Sequence, residues 1–519
     1  MNVKSQTIIA VIGAYPDVGK GTFSGALAYL LKKQGLRAGI AKFDGYFNID
    51  SANINPYHAR ATFLYSEEEC FVLKDGHVTD CDHGYYERFL DEELTAESYI
   101  TNGQVLDSLL RRIKSNDFAI GEVLKYKHFR DELKRKLRKL TAKADMLVFE
   151  IGGTIGDDEL VQLFKVLREL KALDEVDVKV VMMSPYFSLG SADGELSART
   201  KVTRKGFLDL QEIGLRPDIV VMRNDRPMFK NDVHYIASDC SLPPRRIISD
   251  PQLSNTYELP AILEKQHLLE SLFPNRKFKK IRSRLEDYCS ALRGAKRVVK
   301  IGVLGKCGAD WVNGHLSLKE ALGHAGVALG RRVEILWLDD YMKDKTPLPL
   351  DEISGLVVAD GTSFLDEKIE LIRSCRRKNT PIVAISFGAD LLLKEFCETD
   401  LRLKISLDEV EPAAPFNVAK TALFVGSHAT KFAEKSWLHK ALKGATPERY
   451  RHQAWPSKKL VKRVESHVHF IGWTATGEAA AFEISETCFG VKFAPHYKSR
   501  PGKPHPVFVH FMERCTKRA

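Results

Sequence analysis

The sequence predicts an α/β protein of two domains, the first a doubly wound parallel sheet and the second another α/β unit. Three observations carry that prediction. From residue 7 to about 272 short apolar runs alternate with helical stretches. The runs are apolar throughout instead of at every second position, as strands covered on both faces require. A second series opens at "VVKIGVLGK" (298–306), and 519 residues are too many for one hydrophobic core.

Taken in order, "TIIAVIGAY" is a buried strand and a helix runs from Lys20 to about Lys33. "RAGIAKFD" is a second strand. A helical region around 128–143 precedes the strand "ADMLVFEIG". A helix near 158–172, the strand "VDVKVVMMSP", a helix near 203–213 and the strand "RPDIVVMRN" complete the first domain, residues 1–272. Residues 273–297, "FPNRKFKKIRSRLEDYCSALRGAKR", read as a basic, mostly helical linker. The second domain, 298–519, adds the strands "RRVEILWLD", "ISGLVVADG", "TPIVAISFG", "HFIGWTAT", "AAAFEI" and "CFGVKF".

Composition narrows the class. No apolar run approaches the ~20 residues that cross a bilayer. The start of the chain leads straight into a strand without a charged-then-apolar segment, so a cytoplasmic protein with no membrane partner is expected. Nine cysteines lie scattered with no C-x-x-C pair, which fits reduced thiols and not a disulfide frame. The net charge is +10. The basic runs "KRKLRK" (134–139) and "RKFKKIRSR" (276–284) lack an aromatic stacking platform. They read as solvated faces, with no nucleic-acid partner expected.

The first strand ends in "GAYPDVGKGT", Gly13 to Thr22, and a helix begins at once. Glycines there let backbone N–H groups turn toward phosphate oxygens, and the helix N-terminus adds a favourable dipole. Lys20 would reach the outer phosphates as a point charge, and Thr22 a metal ion or a phosphate. The spacing is one residue longer than the usual phosphate loop, and Gly21 separates the lysine from the threonine. Such a loop needs Mg²⁺, hence carboxylates. "TDCDHGYYERF" offers Asp80 and Asp82, and "VFEIGGTIGDDE" places Glu150 at the carboxyl end of a strand.

A second motif is "PIVAISFGAD" (381–390), an apolar strand running into Ser386, then Phe387-Gly388 and a helix. That is the layout of a nucleophile elbow. A serine there needs a base at hydrogen-bond distance.

With these residues in place, the strings "GKG", "KFDGYFNID" (42–50), "TDCDHGYYERF" (79–89), "EIGGTIGD" (150–157) and "IGLRPDIVVMRND" (213–225), in that order, resemble the synthetase domain of CTP synthase. The rest of the chain resembles that enzyme's glutamine amidotransferase domain. The resemblance implies phosphoryl activation of the 4-oxygen of UTP by ATP, then displacement of phosphate by ammonia released from glutamine. It implies that Gly13, Asp17, Val18, Gly19, Lys20, Gly21 and Thr22 contact ATP, that Asp82 and Glu150 hold Mg²⁺, and that Lys42 lies by the moving phosphoryl group. It also implies a homotetramer, with the acceptor site formed where subunits meet.

The acceptor side departs from the family. Its "KTKPTQ" is "RTKVTR" here, with Arg199 and Lys201 keeping positive charge and Arg204 replacing a glutamine. A family lysine falls near Tyr235. "FAIGEVLKYKHF" (118–129) has Glu122 for a threonine, and "NPYHARATFLYSEEE" (55–69) expands a shorter family loop that carries a histidine. With Asp157, these are the candidate acceptor contacts. Such swaps imply either a changed acceptor or drift around an unchanged UTP site.

The amidotransferase side departs further. The family's elbow cysteine is Ser386, its histidine is Ala494, and its glutamate is His496, within "VKFAPHY" (491–497). The oxyanion strand "PGGFG" is "VADGTS" (358–363), and the family's lid segment has no match near "VGSHATKF" (425–432). The expectation is an ATP-dependent C–N ligase whose own glutaminase is degenerate. The alternatives are a non-catalytic paralogue that co-assembles with an authentic CTP synthase, and a carboxylate–amine ligase related to dethiobiotin synthetase.

Overall fold

A computed structural model describes residues 6–49, 70–115, 117–118, 122–173, 176–190, 196–305, 315–361, 364–405, 424–452 and 455–518, with the backbone alone at 188–190 and 196–199. The chain divides into two compact units. The first comprises 1–50 and 85–289, and the second 51–84 and 290–519.

In the first unit the apolar runs become β1 (Thr7–Gly13), β2 (Ala38–Asp44), β3 (Tyr99–Thr101), β4 (Met146–Thr154), β5 (Asp177–Pro185), β6 (Ile219–Asn224) and β7 (Ile247–Pro251). They form one sheet in the order β7-β6-β5-β1-β4-β2-β3, and every pairing is parallel. The sheet is doubly wound, as the alternation predicted. The order reverses at β1, which places the loop after it at the crevice where such sheets bind ligands. The helix Lys20–Lys33 packs there by burying Phe23, Ala26, Leu27, Leu30 and Leu31. The basic run 134–139 lies in the helix Tyr126–Lys143, which buries Leu133 and Leu137 while Arg135, Arg138 and Lys139 face solvent.

The linker differs from expectation. Helix is confined to Arg284–Gly294, and residues 276–283 have no regular structure. Pro274 cannot continue the preceding helix, and the cationic run after it has no apolar stripe to bury. Gln34 holds this segment instead. Its side-chain N–H donates to the Lys279 carbonyl at 2.6 Å, and its Oε1 accepts from the Lys279 N–H at 2.9 Å.

The second unit carries β8 (Arg297–Leu304), β9 (Arg331–Trp337), β10 (Gly355–Val358), β11 (Ile382–Ile385), β12 (Phe424–Phe432), β13 (Ala445–His452), β14 (His469–Thr474), β15 (Ala479–Ser485) and β16 (Cys488–Val491). Their order is β9-β8-β10-β11-β16-β15-β14-β12-β13. The first five are parallel, and the rest extend the sheet antiparallel. A hairpin of Phe71–Val72 and Val78–Thr79, far away in sequence, belongs to this unit. Arg449 Nη1 donates to the Val72 carbonyl at 3.0 Å, Tyr497 donates to the Cys70 carbonyl at 2.8 Å, and the Phe71 and Tyr497 rings meet edge to face. Among the described residues, no helix is long and apolar enough to cross a membrane.

Candidate functional site

In the first unit the loop after β1 is shaped by its glycines. Gly19 caps the helix Lys20–Lys33 at φ +78°, a left-handed conformation glycine adopts without strain. A Cβ on Gly13 would lie 2.8 Å from the Tyr15 carbonyl oxygen and 3.2 Å from Lys20 Nζ, so this turn has no room for a side chain. The Lys20 ammonium folds back over the loop and donates to the Gly153 carbonyl at 3.0 Å. It therefore lies between the phosphate loop and the end of β4.

Glu150 is not at the end of its strand, because β4 continues four residues beyond it to Thr154. It is mid-strand, opposite Val11 of β1 and Lys42 of β2, and almost fully buried. Paired residues of parallel strands project from the same face, so Lys42 and Glu150 are neighbours. Tyr86 donates its hydroxyl to Glu150 Oε2. Lys42 is also buried, with its Nζ 3.9 Å from Asp44 Oδ1. A Cβ on Gly152 would overlap Asp44 Oδ1, so glycine is required there. Asp82 falls in the second unit, where it opens the helix Asp82–Leu90 and its N–H donates to Asp80 Oδ1 at 3.1 Å.

Two residues not singled out from the sequence complete this region. Arg223 and Asp250 are register partners at the carboxyl ends of β6 and β7, joined by a 3.0 Å bond from Nη1 to Oδ1. The guanidinium lies 3.6 Å from where a Gly19 side chain would begin. Asp250 Oδ2 is buried with no hydrogen-bond partner, and burial pushes the carboxyl up to about 6 against the opposing pull of Arg223. A signal existed: both charges end apolar strands, where α/β sheets place ligand groups.

In the second unit the elbow is fully formed. Ser386 stands between β11 and the helix Phe387–Thr399 at φ +55°, ψ −117°, a conformation that costs about 1–3 kcal/mol in a non-glycine residue. Gly388 allows it, because a Cβ there would overlap the Val358 carbonyl. Asp360 Oδ1 accepts the Phe387 N–H at 2.9 Å; burial pushes its carboxyl up, against the opposing pull of that N–H and of the Ser386 side chain. Beneath the turn Lys492 donates to the Ser386 carbonyl at 3.2 Å and pairs with Asp390. Ala494 leaves a methyl group after β16, followed by His496 in a short 3₁₀ turn.

The comparisons with known proteins cover both units. Residues 6–277 match the pattern of the CTP synthase N-terminus, and residues 311–514 match class-I glutamine amidotransferase. A CTP synthase of Aeropyrum pernix is 30% identical over 543 residues, covering 98% of each chain. One from Pyrobaculum calidifontis is 28% identical over 542 residues, covering 99% of each. One from Bdellovibrio bacteriovorus is 29% identical over 549 residues, covering 99% of this chain and all of that one.

The chain belongs to the CTP synthase family.

Within this CTP synthase fold the acceptor candidates are distributed unevenly. Lys201 and Arg204 are exposed one turn apart on the helix Lys201–Glu212, while the Arg199 side chain lies outside the described residues. Tyr235 is exposed on the helix Lys230–Asp239. Glu122 Oε1 lies 2.9 Å from His128 Nε2. Asp157 is engaged locally, its Oδ1 accepting the Thr154 hydroxyl at 2.8 Å and its Oδ2 the Thr154 N–H at 2.6 Å. Residues 55–69, 119–121 and 362–363, named in the acceptor and oxyanion motifs, lie outside the described residues.

Among the described residues, no group of three or more His, Cys, Asp or Glu side chains could cage a metal ion. Mg²⁺ at a phosphate site does not need one, since it binds through one or two carboxylates and the substrate's own oxygens. The buried Glu150 carboxylate, a hard oxygen donor near the phosphate loop, fits that requirement.

Proposed function

We propose that the protein is an ATP-dependent C–N ligase that phosphorylates an oxygen of a pyrimidine nucleotide, UTP or a variant acceptor, and replaces it with ammonia without hydrolysing glutamine itself. The observation that carries the reading is the contrast between the two units. Lys20 folds over a formed phosphate loop and Lys42 and Glu150 are buried register partners in the same sheet, while the elbow holds a serine and the N–H after it is taken by Asp360.

In this reading Gly13, Asp17, Val18, Gly19, Gly21 and Thr22 wrap the ATP phosphates, and Lys20 neutralises charge on the outer ones. Asp250 Oδ2, an unsatisfied buried acceptor, takes an N–H of the adenine amino group, with Arg223 against the nucleotide. Glu150 would hold Mg²⁺, which would supply neutralisation of phosphate charge. The γ-phosphoryl passes from the ADP oxygen to the acceptor O4, and Lys42 offsets the negative charge that develops on it. The ammonia lone pair then attacks C4, the C4–O bond breaks, phosphate leaves, and nitrogen loses a proton. Lys201, Arg204, Tyr235, Glu122 and Asp157, with Arg199, are the acceptor contacts of this reading.

The test incubates the protein with ATP, Mg²⁺ and UTP, with either ammonium or glutamine as nitrogen source. CTP and ADP are expected with ammonium only. Equal CTP from glutamine would overturn the inactive-glutaminase part, and no ADP with any pyrimidine nucleotide would overturn the acceptor class.

A second reading, a non-catalytic paralogue that co-assembles with an active CTP synthase, draws on an exposed apolar stripe. Leu106, Leu110 and Ile113 lie at i, i+4, i+7 on the helix Asn102–Lys114. The same stripe supports a homotetramer. Lys20→Ala separates the readings: a ligase loses turnover by about 10²-fold or more, whereas a scaffold keeps its effect on its partner.

A further inference from the structure

The elbow is silenced by more than its missing thiol. Hydrolysis of an amide at such a turn requires the backbone N–H of the residue after the nucleophile, which stabilises the oxyanion of the tetrahedral intermediate. That residue is Phe387, and its N–H already donates to Asp360 Oδ1 at 2.9 Å. The Ser386 side chain lies beside the same carboxyl group. Asp360 reaches both from two residues beyond the end of β10, the strand beside β11.

We propose that Asp360 is a built-in anion seated in the oxyanion position of the elbow, so that amide cleavage is blocked at its transition-state donor as well as at its nucleophile. This deepens the inactive-glutaminase reading and rests on it.

The surroundings hold the carboxylate in place. His315, within reach of the Asp360 backbone, stacks on Trp337. Burial pushes the Asp360 carboxyl up, while the Phe387 N–H, the Ser386 side chain, Arg451 and Lys492 favour its ionised form and Asp390 on the elbow helix opposes it. An anion at this point repels a developing oxyanion and any thiolate installed at position 386. Restoring the nucleophile and base alone therefore leaves the site closed.

The test is made in the full chain with Ser386→Cys, alone and combined with Asp360→Asn or Asp360→Gly. Asp360→Asn keeps the size and an acceptor oxygen, so it carries the test if the glycine variant does not fold. The pH midpoint for alkylation of the thiol introduced at position 386 by iodoacetamide is read by intact mass and peptide mapping. The midpoint is expected to fall by at least one pH unit when Asp360 becomes Asn, because a like charge beside the thiolate is removed.

In a Ser386→Cys, Ala494→His, His496→Glu background, Asp360→Gly is expected to speed adduct formation by an electrophilic glutamine analogue at least tenfold. Equal midpoints with and without Asp360, or no alkylation in either up to pH 10, would overturn the proposal. Ammonia released from glutamine by the unmodified chain would instead end the inactive-glutaminase reading, which equal midpoints leave standing.

Discussion

Lys42 and Glu150 are register partners on adjacent parallel strands, both buried and projecting from one face of the first sheet. Two charges are stable there only if they are paired and hydrogen-bonded, and Tyr86 and Asp44 supply further partners. Glu150→Gln keeps the shape and the acceptor for Tyr86 while removing the charge. Turnover with ammonium is expected to fall by about 10²-fold or more, with a raised Mg²⁺ requirement and little change in melting temperature. Steady-state kinetics across a Mg²⁺ series, beside a thermal melt, checks this. Normal turnover at low Mg²⁺ would remove Glu150 from the metal.

Gly152→Ala tests the packing behind that pair. The added methyl overlaps Asp44 Oδ1, so the carboxylate beside Lys42 must move. A loss of about 1–3 kcal/mol in stability is expected from overpacking, measured by urea unfolding, together with reduced turnover. An unchanged midpoint and rate would mean that the turn relaxes freely.

Asp250 gives the protein a pH signature. Burial raises its folded pKa to about 6, above the ~3.9 of an unfolded aspartate. Between those values the unfolded chain has released the proton and the native chain still holds it. Stability therefore falls as pH rises from about 4 to about 6. Asp250→Asn is expected to remove this component, gaining stability relative to the parent at pH 7 but not at pH 4. Urea melts of both proteins at the two pH values decide it, and parallel curves would place the raised pKa elsewhere. The same variant should raise the KM for ATP while ADP release at saturation changes less.

Lys492 and Asp390 form an ion pair buried beneath the elbow. Removing one partner leaves an uncompensated buried charge, so Lys492→Met or Asp390→Leu alone is expected to cost about 3–5 kcal/mol. The double variant should cost far less than the sum. A double-mutant cycle by chemical unfolding measures this, and additive losses would show that the two groups do not act as a pair.

Much of this architecture was legible along the chain because it is written locally. Unbroken apolar runs such as "ADMLVFEIG" can only be strands covered on both faces, and they became the centre of a parallel sheet. Gly13 marked a turn with no room for a side chain, Gly19 a left-handed turn, and Ser386 before Phe387-Gly388 the elbow. The linker was read less well, because a run of charges has no period that separates helix from an extended segment held by Gln34.

What the tertiary structure alone decided are the contacts that join residues far apart. The hairpin at 71–79 belongs to the second unit through Arg449 and Tyr497, hundreds of residues away. Asp250 meets Arg223 beside Gly19 only because β7 lies next to β6, and Asp360 reaches the Phe387 N–H only because β10 lies next to β11. Local periodicity sets what each segment becomes, while which strand lies beside which is settled by how the whole apolar surface is buried.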